Sequence, residues 1–107
     1  MPQYLIRWWH ATDQCPTSNT QIRARAERGF SEMQAAAAKL DIRFLAGPLA
    51  LAVEHEGFAL VEAATAEVVQ TFVMHSGLMQ WNTVRISLVM PMSGVLSELG
   101  NMPPPLC

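Results

Sequence analysis

The sequence predicts an α+β domain of the ferredoxin-like type, in the order strand, helix, strand, strand, helix, strand. Three observations lead there. Four short segments alternate their side chains with the period of two expected of a strand. Two other segments repeat apolar residues at three- and four-residue spacing, the stripe of a helix with one buried face. The second strand also contains Gly47-Pro48, and a proline inside a strand belongs at an edge or a bulge. The split βαβ arrangement, with spatial order four-one-three-two, puts strand two at such an edge. In this reading the sheet is four-stranded and antiparallel overall, and both helices cover one face. Strands one and three lie side by side, and that pair is expected to run parallel.

Strand one is read from Gln3 to His10. Tyr4, Ile6, Trp8 and His10 share one face, and Leu5, Arg7 and Trp9 the other. The polar loop Ala11 to Thr17 exceeds the usual four to six residues or so, and long loops at strand ends often carry function. Ser18 or Asn19 caps helix one, which runs to about Leu40 and buries Ile22, Ala26, Phe30, Met33, Ala37 and Leu40. Gly29 inside it costs up to about 1 kcal/mol against alanine, a cost explained if a neighbouring element approaches closely there. Strand two is read from Arg43 to Val53. Glu54 to Gly57 is read as the turn, with Gly57 supplying a positive φ. Phe58 to Ala63 is strand three. Thr65 caps helix two, which buries Val68, Val69, Phe72 and Val73 and ends near Ser76, with Gly77 just beyond. Thr83 to Val89 is strand four. Residues 1–92 thus form the domain, and 93–107 a short helix from Gly94 to Leu99 followed by an extended Pro-rich tail.

Composition bears on partners. Half of the 107 residues are hydrophobic and only 15% are charged, against a usual quarter or so. The sheet face left bare by the helices is therefore expected to meet its copy in a symmetric homodimer. A formal charge of −2 without a block of Lys or Arg argues against nucleic acid. No apolar run approaches the roughly 18 residues that span a membrane. The N-terminus enters a strand pattern directly, without the look of a signal peptide. Cys15 and Cys107 are too few and too far apart for a disulfide framework. Together these point to a cytoplasmic protein with reduced thiols.

The run Gly57 to Ala63, then Gln80-Trp81 and the Pro91 after the last strand, resembles the small bacterial family known as domain of unknown function 3303. Trp8 is also similar to that family's pattern. The likeness covers most of the chain and is specific from Gly57 to Pro91. That family is similar in turn to the dimeric α+β barrel superfamily. Its members include cofactor-free monooxygenases, polyketide cyclases, isomerases, metal binders and proteins with no known chemistry. The resemblance implies a ferredoxin-like dimer and supplies no catalytic motif. The longer first loop, the Trp9-His10 pair and the Pro-rich tail depart from the family.

Glu62 is the residue that strand packing does not explain, because a carboxylate on an apolar strand must be paired, protonated or hydrogen-bonded. The cleaner apolar faces, Val84, Ile86 and Leu88 with Ala59, Val61 and Ala63, are assigned to the helix side. Leu5, Arg7, Trp9, Phe58, Leu60, Glu62, Arg85, Ser87 and Val89 then fall on the open face, with Arg7 placed between Glu62 and Arg85. Two readings follow. One is a small-molecule pocket of Arg7, Trp9, Phe58, Leu60, Arg85 and Ser87, with Glu62 as base and the arginines holding an anionic or enolate oxygen. The other is a structural ion-pair network.

His10, at the rim of strand one, is the second acid–base candidate. His55 is read as a solvated turn residue, and His75 as a partner of the helix dipole. The three histidines lack the spacing of a metal motif, so neither a metal site nor a cofactor is expected. Cys15, with no nearby His or Lys in the sequence, is read as inert. The expected function is a dimer that binds a small hydrophobic or aromatic ligand. It acts either as a cofactor-independent cyclase, isomerase or monooxygenase on an aromatic or carbonyl substrate, or as a non-catalytic ligand- or metal-binding or sensing dimer.

Overall fold

In the computed structural model, which describes residues 1–106, the elements are β1 (Gln3–Trp9), α1 (Thr20–Lys39), β2 (Arg43–Leu51), β3 (Glu56–Glu62), α2 (Ala66–Ser76), β4 (Thr83–Val89) and α3 (Met92–Glu98). They make an α+β fold with one sheet in the order β2-β3-β1-β4, compatible with a ferredoxin-like arrangement. Every neighbouring pair is antiparallel, which corrects the expectation that strands one and three run parallel. The crossover helices connect β1 with β2 and β3 with β4. Each of those pairs runs the same way with a third strand between its members, and the β2–β3 hairpin reverses the chain, so the two inner strands oppose each other.

Both helix starts follow their caps. Asn19 Oδ1 accepts from the backbone N–H groups of Gln21 at 3.0 Å and Ile22 at 3.1 Å, satisfying donors that the first turn leaves free. Thr65 Oγ1 accepts from the Val68 N–H at 3.2 Å, and Gly77 ends α2 in the left-handed region at φ 79°. Between the helices, a Cβ at Gly29 would lie 3.3 Å from the Ser76 carbonyl oxygen, the close approach that the sequence suggested.

The core lies on one face of the sheet. Tyr4, Ile6 and Trp8 of β1 and Ala59 and Val61 of β3 pack with Ile22, Ala26, Met33 and Ala37 of α1 and Val69, Phe72 and Val73 of α2. Val84 and Ile86 of β4 pack against this cluster, but Leu88 stays 67% exposed, past the area the helices cover. Gly57 is not the turn residue. It lies buried within β3, opposite Trp8, where a Cβ would overlap the Trp8 indole. The positive φ of the hairpin belongs to His55, at 56°. It follows a short 3-10 turn at Ala52–Glu54, so β2 ends before Val53. The edge position of β2 is as expected, and its register slips between Phe44 and Leu49, around Gly47-Pro48.

Candidate functional site

Six side chains expected to line a pocket share the open face of the sheet. In register, Arg7 lies opposite Phe58 on one side and Arg85 on the other, while Leu5 lies opposite Leu60 and Ser87. Trp9 is on the same face, its ring 5.8 Å from the Arg85 guanidinium carbon, within cation–π reach. A cleft of about 350 Å³ opens here, with Leu5, Arg7, Leu51, Glu56 and Phe58 in its wall. Glu56 was missed because it was placed in the turn; its pairing with Trp9 puts it on the open face.

Glu62 does not sit between the two arginines. It pairs with Gln3 on β1, four residues from Arg7, which is about 14 Å along a strand. Its carboxylate accepts instead from Arg43 Nη2 of β2. The Arg43 side chain is 71% exposed, so this is a surface pair worth about 0–1 kcal/mol. Glu62 is therefore not part of a buried network with Arg7 and Arg85.

His10 is on the opposite face, where the sequence reading put it, and it has company that reading did not foresee. Antiparallel pairing of Trp9 with Glu56 brings the residues just beyond each strand end together. The His10 N–H donates to the His55 carbonyl at 3.1 Å, and the two imidazole centroids are 5.7 Å apart. The loop after β1 folds back to bury Cys15, 3% exposed, against them. One ligating atom from each of His10, Cys15 and His55 lies within 4.8 Å of the others.

The tautomer of a neutral His10 follows from a chain of donors and acceptors. Asn82 Nδ2 donates to the Leu78 carbonyl at 3.0 Å, and a carbonyl can only accept, so Asn82 Oδ1 is the atom turned toward His10. Oδ1 is 2.8 Å from His10 Nδ1, which must therefore carry the proton and donate. Nε2 of the neutral ring is left with a free lone pair. It is buried without a hydrogen-bond partner, as is Nδ1 of His55. The His10 ring is held in place by Trp81, 5.2 Å away between centroids.

Burial pushes the Cys15 thiol up, but hydrogen bonding from the Thr17 side chain and backbone outweighs it. The net result is a pKa lowered from 9.0 to about 6. The Thr17 hydroxyl is 3.0 Å from Sγ. Cys15 thus has partners that the linear sequence does not show, and His55 is half-buried rather than a solvated turn residue. Cys107 lies outside the described residues. No protein-family model and no curated protein sequence matches the chain.

Proposed function

We propose that the chain is a ligand-binding homodimer of the α+β barrel type, two sheets facing each other across a small apolar or aromatic ligand with an anionic group. The observation that carries this reading is the open face itself. Arg7 and Arg85 lie directly opposite each other there, and like charges in that position repel. Neither has a carboxylate within ion-pair distance among the described residues. Around them stand Leu5, Trp9, Phe58 and Leu60, with Leu49 and Leu51 of β2 half-exposed beside them. An anion satisfies both guanidiniums, and an aromatic body suits the apolar surround. The cleft volume of about 350 Å³ falls at the low end of the roughly 300–1,000 Å³ of small-molecule sites.

Binding is favoured over proton-transfer chemistry because both expected bases are elsewhere, Glu62 on Arg43 and His10 across the sheet. The probe that tests the reading is an anionic naphthalene sulfonate dye, followed by its fluorescence. The full chain is expected to bind it saturably. Arg85→Ala and Phe58→Ala should each weaken binding by about tenfold or more, the loss of one charge-assisted contact or one aromatic contact. Equal affinity in both variants contradicts the proposal.

A further inference from the structure

We propose that His10, Cys15 and His55 form a binding site for a thiophilic transition metal, zinc being the representative ion. The donor set itself selects the class. Two imidazoles and a thiolate suit zinc, copper or cobalt, whereas magnesium and calcium require oxygen ligands.

Three independent features of the fold support the site. Each residue comes from a different segment, the end of β1, the loop before α1 and the β2–β3 turn, yet their ligating atoms converge within 4.8 Å. Each imidazole has a buried nitrogen without a hydrogen-bond partner, and one nitrogen of each ring lies within 4.8 Å of the other donors. A buried polar atom left in that state is destabilising, and a metal removes the penalty at both. Third, the Leu78–Asn82–His10 relay fixes the tautomer that leaves Nε2 free to coordinate. An outer partner of this kind regularly orients a metal-ligating histidine.

Zinc bonds of about 2.0–2.3 Å to nitrogen and sulfur place the donors roughly 3.3–3.8 Å apart, so the cluster closes by about 1 Å around the ion. Cys15 and His55 both sit in loops that permit such a shift. Three protein ligands leave a fourth position for water or another small donor.

The same residues do not read well as a nucleophile, a base and an orienting amide. Cys15 is 3% exposed, which leaves no room for an organic substrate at Sγ, and that mechanism gives the second imidazole no role. The metal reading uses both rings. It is independent of the open-face ligand, which lies on the other side of the sheet.

The test is titration of the metal-free full chain with cobalt(II) and then zinc(II). One equivalent of cobalt should produce a thiolate-to-metal charge-transfer absorption, displaced by zinc, and zinc should raise the unfolding temperature. Cys107→Ser should keep the absorption, and Cys15→Ser should abolish it. His55→Asn provides a variant whose fold is safe, because asparagine accepts the left-handed φ that position 55 adopts. It should weaken metal binding by more than the roughly 10–100-fold that loss of an outer partner costs. Asn82→Ala should fall within that lower range. No charge-transfer band in the parent chain overturns the site, as does a band that survives in Cys15→Ser or unchanged affinity in His55→Asn. Should Cys15→Ser fail to fold, His55→Asn decides.

Discussion

Burial alone would hold the Cys15 thiol protonated at neutral pH, and the surrounding hydrogen bonds reverse that, lowering its pKa from 9.0 to about 6. The sign of the consequence is fixed by linkage. The folded-state pKa lies below the unfolded one, so the thiolate contributes stability that is full above about 9 and is lost as pH falls through about 6. In the metal-free protein, the ultraviolet absorbance of the thiolate is expected to rise with a midpoint near 6, read as wild type minus Cys15→Ser. A midpoint near the ordinary 9.0 would show that Thr17 does not favour the anion. The residues involved were all visible in the sequence. Their proximity was not, because Cys15, His10 and His55 follow no linear ligand spacing and meet only when two loops close at one end of the sheet.

At the level of elements, the β1–β3 pairing is the decisive relationship. Trp8 lies over Gly57, whose missing Cβ makes room for the indole. Gly57→Ala is therefore expected to cost about 1–3 kcal/mol in urea unfolding, as overpacking of a filled site does. Stability within about 0.5 kcal/mol of wild type, the range of a neutral surface change, would mean that the indole has space to move.

The order of elements, both helix caps, the edge position of β2 and the faces of β1, β3 and β4 were legible from periodicity, capping residues and Pro48. The direction of strand three against strand one was not, and the error had a definite effect. Parallel pairing slides the far end of β3 to the level of Arg7, which is why Glu62 was placed between the arginines. Antiparallel pairing moves Glu62 to Gln3 and sets His55 beside His10. One reversal of direction separated Glu62 from the arginines and brought His55 to His10. Connectivity settles the point without coordinates, since β1 runs with β2 across its crossover and the hairpin then turns β3 the opposite way.

The molecule as a whole is thin and elongated, 54 × 34 × 19 Å, with a radius of gyration of 16.5 Å against about 13 Å for a compact chain of this length. Two features account for it. The sheet has helices on one face only, and α3 projects beyond it with no buried residue. Leu96 and Leu99 on or just after α3 are 59% and 56% exposed. No helix is long and apolar enough to cross a membrane.

The open face spans four strands at about 4.8 Å spacing, each some 24 Å long for seven residues. That footprint is about 460 Å² before side-chain relief, against the roughly 800 Å² per partner of a standard interface, and the proposed dimer uses this face rather than α3. The measurement that tests this most directly is sedimentation equilibrium at micromolar concentration, on wild type, Phe58→Glu and Leu96→Glu. The account predicts twice the 11.8 kDa chain mass for wild type and for Leu96→Glu, and a monomer for Phe58→Glu, whose charge falls at the centre of the face. A wild-type monomer, or a dimer that Phe58→Glu leaves intact, would contradict it.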